Sequence, residues 1–271
     1  SSLLVFHGIQ GGSRLGDRRK VFGAFLLMWS LVAAYGAVRL GQIDSVEPTD
    51  ELRVGLVQAN ITPEDKKQKG AARGSIYDKG VDQMKDLENL DLDLIVWPEG
   101  GYPYYFPTGL LTPEAREKKV VGRGYSGKLQ KLVKDRGVPF AFGALTKPEA
   151  GGKLRNSFVF FDDKGLFSEV YYKRILVPFG EYIPFSDWFP FVKGKVKGIG
   201  DMAPGTERAL FHVGDVRVLP SICYEAIYPA ATRHAVMEEP RAHVILNITN
   251  DMWFGDTSAL DMHLMVQVSR A

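Results

Sequence analysis

The sequence predicts an α/β fold in which a sheet-based domain follows one long apolar segment. From residue 52 onward, short runs rich in β-branched and aromatic residues alternate with stretches of helical period. Before them, residues 21–38 form a run of eighteen residues without a charge. These two observations predict an α/β sandwich attached to a transmembrane helix.

Composition excludes several functional classes. The 271 residues are 45% apolar, which is enough to bury a large core. The net charge is only +2 and the basic residues are scattered, so we expect no nucleic-acid partner. Cys223 is the single cysteine, which excludes an internal disulfide and a cysteine-based zinc cluster. The five histidines are not placed at metal-ligand spacing, and no metal site is predicted.

The apolar run is long enough to cross the hydrocarbon layer of a membrane as a helix. We predict a transmembrane helix over residues 21–40, after an N-terminal tail and basic cytoplasmic loop over residues 1–20. A buried core helix and a signal peptide are the alternatives, but no small-residue cleavage site follows the run. Because basic residues precede the helix, the part after the 41–51 linker is expected on the outer side of the membrane.

The strand and helix signals of the remaining chain support one large domain over residues 52–271. Two helices are predicted, over residues 76–90 and 117–133, and turns are predicted at 162–165 and 214–215. Seven runs are typical of strands: residues 53–58, 92–97, 140–145, 157–161, 170–172, 216–222 and 243–248.

Three strand signals end in a reactive side chain, which is where α/β enzymes place their chemistry. Glu99 follows the first of these strands, Lys173 the second and Cys223 the third. A thiolate can attack an acyl carbon, a carboxylate can move the proton, and an ammonium can stabilise the oxyanion. Taken singly, each residue is more typical of a core cysteine, a solvated turn or an edge charge. Their combination favours a catalytic trio.

The order of these residues, each within its own motif, resembles the nitrilase or carbon-nitrogen hydrolase superfamily. The motifs are WPEG at 97–100, YYKRILVPFGEYIPF at 171–185, ICYEAIYP at 222–229 and NITNDMWFGDT at 247–257. The FGEYIP loop, the glutamate after Cys-Tyr and the NDxWFG segment behind a membrane helix are similar to its membrane-bound branch, the apolipoprotein N-acyltransferases. Against the pattern of that branch, residues 66–68 read KKQ where its members often have a tryptophan.

The resemblance implies a nitrilase-like αββα sandwich and a set of site residues. Glu99, Lys173 and Cys223 match the catalytic positions, while Glu181, Tyr224 and Glu225 match positions that support them. Asn156 matches a position near the substrate pocket, and the aromatic residues Trp97, Tyr102 and Trp253 are expected to contact substrate. The aromatic and proline-rich stretch at 100–111 is interpreted either as an apolar lid or as a loop packed on the core.

The activity implied by the resemblance is transfer of a fatty acyl group from a phospholipid, through a thioester on Cys223, to the N-terminal α-amino group of a diacylglyceryl-cysteine lipoprotein. No cofactor is implied. The implied location is the bacterial inner (plasma) membrane, with the catalytic domain on the periplasmic side. Further strands and a last membrane helix are expected beyond Ala271, so the domain is expected to be truncated at its C-terminus. The alternatives are an amidase that uses the same trio on a small amide, and a binding module without activity.

Overall fold

The computed structural model describes residues 15–45, 51–62, 65, 71–148, 151–184 and 201–269. The chain divides into two compact units, Ser1–Glu51 and Leu52–Ala271. The described part of the first unit is one helix, and both sheets belong to the second unit.

Helix α1 of the first unit spans Leu15–Asp44. It is longer at both ends than the predicted 21–40, because the flanking Leu, Arg, Lys and Gln residues are good helix formers. The stretch Arg18–Asp44 is long and apolar enough to cross a membrane, and no residue in its most apolar window is buried. Parts of the predicted tail and linker, residues 1–14 and 46–50, lie outside the described residues.

The larger sheet of the second unit has six strands: β1 Val54–Leu56, β2 Leu94–Trp97, β3 Tyr105–Pro107, β4 Phe140–Lys147, β5 Arg155–Phe161 and β6 Phe167–Tyr172. The order is β1-β2-β4-β5-β6, and β3 pairs with the far end of β4. The first three strands of this path are parallel, and β4, β5 and β6 are antiparallel.

The smaller sheet has the order β7-β8-β9, with β7 Phe211–Val213, β8 Val216–Ile222 and β9 Val244–Ile248. A hairpin joins β7 to β8, and its turn places Gly214 at a φ of 56°. Strands β8 and β9 are parallel, with Ser221 opposite Asn247. Their carboxyl ends therefore meet at one edge, where Cys223 and the segment after β9 both emerge.

Within the described residues of the second unit there are five helices: α2 Ala71–Lys85, α3 Pro113–Glu117, α4 Gly124–Arg136, α5 Pro229–Met237 and α6 Ala259–Val268. Short 3-10 turns span Thr108–Leu110, Cys223–Ile227 and Asp251–Phe254. The last two of these follow β8 and β9 directly and carry residues of the site.

The core has two apolar layers, as the alternation of side chains along β2 illustrates. Leu94 and Val96 belong to the cluster that joins the two sheets, whereas Ile95 and Trp97 belong to the cluster beneath α2 and α4. On the far side of the smaller sheet, residues of α5 and β9 line a common cavity. Helix, sheet, sheet and helix therefore stack as the predicted αββα sandwich.

Candidate active site

Glu99 lies in the turn directly after β2. One carboxylate oxygen, Oε1, accepts a hydrogen bond of 2.7 Å from Asn156 Nδ2, and Oε2 accepts one of 3.1 Å from the backbone N–H of Asn250. The ammonium of Lys173 lies 3.8 Å from Oε1. Groups from three separate segments thus fix this carboxylate, which is only 12% exposed. A base held in this way loses little rotamer freedom when it acts.

Lys173 follows β6 and has a side chain that is 1% exposed. Its Nζ lies 2.9 Å from Glu181 Oε1. Burial acts to lower the pKa of Lys173, but the charges of Glu99 and Glu181 outweigh burial and leave the pKa raised. The side chain is therefore an ammonium at neutral pH, as oxyanion stabilisation requires.

Glu181 holds this ammonium from the other side. Its Oε1 accepts from Lys173 and, at 3.0 Å, from Asn156 Nδ2, and its Oε2 accepts from the N–H of Val177 at 2.8 Å. The amide of Asn156 therefore donates to both carboxylates. Because a buried carboxylate needs such donors, Asn156 orients the two acidic groups around Lys173.

Cys223 begins the turn after β8 and has a φ of 54°, in the left-handed region that non-glycine residues rarely adopt. Its side chain is buried, with 8% of the residue exposed. Burial, followed by the charge of Glu99, raises the pKa of the thiol to about 12, while Lys173 and a hydrogen bond with Thr249 lower it. The resting group is a protonated thiol, so attack on an acyl carbon requires a base.

Glu225 ties the turn of Cys223 to the segment of Lys173. Its Oε1 accepts hydrogen bonds from the Tyr171 hydroxyl at 2.8 Å and from the N–H groups of Arg174 and Ile175 at 2.7 and 3.1 Å. Its Oε2 accepts from the N–H of Ile222 at 2.8 Å. Burial raises the pKa of Glu225, and these donors act against that effect. The carboxylate fixes both catalytic segments without facing the thiol.

The structure brings Glu99, Lys173 and Cys223 into one centre. The thiol is close enough to both charged groups that their fields shift its pKa in opposite directions. Tyr224 lies beside the centre, where its ring stacks on His263 at a centroid distance of 5.0 Å. The catalytic roles of the trio stay predictions, and what supports them here is the 3.8 Å contact of Lys173 with Glu99 and the electrostatic effect of both groups on the thiol.

Two of the residues expected to contact substrate belong to the core instead. Trp97 is 1% exposed and packs edge-on against Phe140 at 5.3 Å, on the face of β2 that points away from the smaller sheet. Tyr102 is 4% exposed and packs against Phe106 at 5.2 Å. Both residues lie near the catalytic turn in sequence, but their rings pack into the apolar layer beneath the helices and not toward the thiol. They therefore stabilise that layer.

The stretch at 100–111 follows the same pattern, since Phe106, Leu110 and Leu111 are buried. Of the two interpretations, a loop packed on the core fits and an open apolar lid does not. Trp253, in contrast, is 61% exposed on the turn after Asn250. Its contact with substrate stays a prediction.

Next to the nucleophile lies a pair that the sequence did not predict, a buried histidine and a partly buried aspartate. His263 Nδ1 lies 2.8 Å from Asp251 Oδ2, and its Nε2 lies 3.3 Å from the carbonyl oxygen of Cys223. Neither residue has a role in the predicted site, and His263 is one of the five histidines that are not placed at metal-ligand spacing. The one available signal was that Asp251 lies within the NDxWFG motif.

Among the residues that the structure describes, no group of three or more His, Cys, Asp or Glu side chains could hold a metal ion. The chemistry available at this centre is thus that of a thiol, two carboxylates, an ammonium and a histidine. Such a set suits acyl transfer through a covalent intermediate.

Sequence comparison places this site in a known context. The sequence pattern described as Carbon-nitrogen hydrolase matches residues 53–271. The apolipoprotein N-acyltransferase of Geobacter metallireducens is 31% identical over 91% of this chain and 44% of that protein. The one from Methylococcus capsulatus is 28% identical over 96% and 48%, and the one from Brucella suis is 34% identical over 88% and 43%. The chain spans a little under half the length of these relatives.

Solved structures share the architecture of the second unit. An amidase from Nesterenkonia sp. superposes with a TM-score of 0.52 at 18% identity, covering 82% of this chain and 73% of that one. A CN-hydrolase superfamily protein from Xanthomonas campestris gives a TM-score of 0.55 at 17% identity, covering 82% and 72%. At these identities the likeness shows the fold alone.

Proposed function

The chain belongs to the carbon-nitrogen hydrolase family, and from that premise we propose that it is an N-acyltransferase. The fatty acyl group comes from a phospholipid, passes through a thioester on Cys223, and reaches the N-terminal α-amino group of a diacylglyceryl-cysteine apolipoprotein.

One observation carries the proposal: the Glu99, Lys173 and Cys223 centre occurs in the same chain as the exposed apolar helix α1. An enzyme for a small soluble amide has no need of such a helix, whereas an enzyme for phospholipid must work at a membrane. The relatives named apolipoprotein N-acyltransferase support this reading. A match over 91% of the chain is longer than residues 53–271, so it includes part of the segment that contains α1.

The first half-reaction forms the thioester. Glu99 takes the proton of the Cys223 thiol, and the sulfur attacks the ester carbonyl of the phospholipid. The ammonium of Lys173 stabilises the oxyanion while the C–S bond forms. The C–O bond then breaks, and the lysophospholipid leaves with the proton that Glu99 returns to its oxygen.

The second half-reaction uses the same groups in reverse. Glu99 accepts a proton from the attacking α-amino group, the C–N bond forms, and the C–S bond breaks. The proton held by Glu99 returns to sulfur and regenerates the thiol. Because water could replace the amine, the buried position of the thiol, with 8% of Cys223 exposed, favours transfer over hydrolysis.

The proposed location is the bacterial inner (plasma) membrane, with the catalytic unit on the periplasmic side. Arg18, Arg19 and Lys20 lie at the N-terminal side of the apolar stretch, and no acidic residue interrupts residues 21–38. Basic residues are retained on the cytoplasmic side of membrane helices, so the chain after α1 emerges on the opposite side.

The test is mass spectrometry of the detergent-solubilised protein incubated with a phosphatidylethanolamine of defined acyl chains. We expect a fatty acyl mass on the peptide that contains Cys223, and its loss when a lipopeptide with a free N-terminal amine is added. The matched control is the same lipopeptide with an acetylated N-terminus, which should leave the thioester in place.

Cys223→Ala should carry no acyl mass under any of these conditions. The proposal fails if wild-type protein forms no adduct with phospholipid but hydrolyses small amides in detergent-free buffer, because that result assigns the same trio to an amidase.

A further inference from the structure

The carbonyl of Cys223 is held by two side chains from two different elements. Asn247 of β9 donates to this oxygen through Nδ2 at 3.1 Å, and His263 of α6 approaches it through Nε2 at 3.3 Å. The residue that they hold has a φ of 54°, a conformation that costs free energy and persists only when its surroundings enforce it.

The other nitrogen of His263 is engaged as well. Nδ1 lies 2.8 and 3.0 Å from the two oxygens of Asp251, and Oδ1 of the same carboxylate also accepts from the Thr249 hydroxyl at 2.7 Å. The Thr249 hydroxyl thus orients the Asp251 carboxylate, and that carboxylate orients the imidazole of His263. Such a carboxylate fixes which way the ring faces and which nitrogen carries a proton.

A count of protons follows from these contacts. A carboxylate and a carbonyl are both acceptors, so the imidazolium, with a proton on each nitrogen, satisfies Asp251 and the Cys223 carbonyl together. The neutral ring with its proton on Nδ1 still satisfies Asp251, but its Nε2 then accepts from the Gln267 amide and no longer donates to the carbonyl. The charged and polar groups that face the ring are Asp251, the carbonyl of Cys223, the more distant Glu99, the ring of Tyr224 and the amide of Gln267, whose Nε2 lies 3.2 Å from His263 Nε2. The hydrogen bond to Asp251 raises the pKa of His263, which agrees with this count.

We propose that Asp251 and His263 are positioning residues, which hold the carbonyl of Cys223 and thereby keep its thiol directed toward Glu99. The proposal deepens the proposed function and rests on Cys223 being the nucleophile of that reaction. The pair acts through the backbone of Cys223, so neither residue needs to touch substrate.

The hydrogen bond from His263 to the Cys223 carbonyl should depend on pH, and the contacts of the ring determine the direction of that dependence. Below the raised pKa of His263, Nε2–H donates to the Cys223 carbonyl. As pH rises through that pKa, the remaining proton stays on Nδ1 beside the Asp251 carboxylate, and the Nε2 lone pair faces the carbonyl oxygen. The hydrogen bond from His263 to the Cys223 carbonyl is therefore present at low pH and lost at high pH, while the one from Asn247 remains.

The experiment is the rate of alkylation of Cys223 by iodoacetamide, an uncharged reagent, between roughly pH 5 and pH 9. Because the chain has one cysteine, the modified peptide reports this thiol alone. We compare wild type with His263→Leu, His263→Gln and Asp251→Asn. His234→Gln is the matched control, since His234 is an exposed histidine whose Nδ1 lies 3.8 Å from a carboxylate, that of Glu238.

His263→Leu should slow alkylation about tenfold at low pH, the effect of one lost hydrogen bond from a charged donor. The ratio of wild-type to His263→Leu rates should fall toward one as pH passes the pKa of His263. His263→Gln keeps an N–H near the position of Nε2 and should recover most of the rate. His234→Gln should behave as wild type throughout.

A His263→Leu rate equal to wild type overturns the proposal, and so does a ratio that stays constant with pH, which indicates packing alone. If His263→Leu does not fold, Asp251→Asn decides: the pH at which alkylation changes must move downward, and an unchanged midpoint overturns the proposal. Alkylation needs no phospholipid, so failure of acyl transfer in wild type counts against the proposed function and leaves this test intact.

Discussion

The charges around Cys223 explain why the thiol rests in its neutral form. Glu99 and Asp251 bring negative charge near the thiol and Lys173 brings one ammonium, and the side chains of Glu99 and Lys173 are 12% and 1% exposed. Burial, followed by the charge of Glu99, disfavours a thiolate. When the thiol proton moves to Glu99, however, the total charge of the site is unchanged. The reaction therefore begins with a proton transfer within the site, from Cys223 to Glu99, and no proton is exchanged with solvent.

Lys173→Met tests the balance of these charges. The substitution removes the ammonium that lies 3.8 Å from Glu99 and 2.9 Å from Glu181, so both of these largely buried carboxylates lose an ion-pair partner. We expect the free energy of unfolding to fall by about 3–5 kcal/mol, the usual cost of removing one member of a buried ion pair. The thiol also loses the charge that lowers its pKa, so alkylation of Cys223 should slow. Denaturant unfolding and iodoacetamide kinetics measure the two effects.

The matched control is Lys153→Met. Lys153 also lies within 2.8 Å of a carboxylate, Asp201, but the two side chains are 39% and 54% exposed. We expect a change within about 0.5 kcal/mol, as for other surface pairs. Equal losses in the two variants would contradict the role assigned to the buried position of Lys173.

The sequence predicts those site residues that a local motif marks, and it does not predict contacts between residues far apart in the chain. Glu99, Lys173 and Cys223 could be found because each follows a strand signal within a distinctive motif. The contact between Cys223 and His263 could not, because it depends on the register of β8 with β9 and on the path of α6. Trp97 was assigned to substrate because a strand end says where a residue lies and not which face its side chain occupies.

At the scale of elements, every strand that lies within an apolar run was predicted, including β1 with only three residues. Strand β8 has the predicted bounds, and β4 and β5 each extend beyond theirs by two residues. Strands β3 and β7, of three residues each, were missed because so short a run gives no period to detect. Tertiary pairing with β4 and β8 creates them.

Strand β4 positions the catalytic turn through a glycine. A Cβ built on Gly143 would lie 2.6 Å from Glu99 Cα and 2.6 Å from Pro98 O, both backbone atoms. Gly143→Ala must therefore push the Glu99 turn away from the strand. We expect thioester formation on Cys223 to fall by about tenfold or more, the effect of moving a catalytic group by a fraction of an ångström to one ångström. Intact-protein mass spectrometry over time gives the rate.

Gly41→Ala is the control, because nothing lies within 4 Å of a Cβ at that position of α1. Alanine also suits a helix better than glycine, so this variant should acylate at the wild-type rate. A Gly143→Ala protein with wild-type acylation would show that the turn can shift without moving the Glu99 carboxylate, and the positioning role of β4 would be lost.

For the whole molecule, the sequence predicted a long apolar helix followed by an α/β sandwich, and each of the two is present. Both predictions rest on composition and period over many residues, which neighbouring contacts do not overturn. The two units differ in how their apolar residues are arranged. The second has two buried apolar layers, whereas large apolar side chains are exposed along most of α1, with Leu27 and Leu31 62% and 63% exposed. A long helix with such a continuous apolar surface predicts insertion into a membrane.

The membrane role of α1 is therefore open to a direct test with Leu27→Arg combined with Leu31→Arg. Each arginine near the centre of a membrane helix costs about 2.5–3.5 kcal/mol of insertion free energy, so two should prevent stable insertion of this helix. We expect wild-type chain to stay with the membrane pellet after alkaline carbonate extraction and the double variant to be released. Leu27→Ala with Leu31→Ala, which removes side-chain volume without adding charge, should remain in the pellet. Retention of the arginine variant would mean that the second unit binds the membrane by itself, and the helix would then be an attachment without a necessary part in reaching the phospholipid.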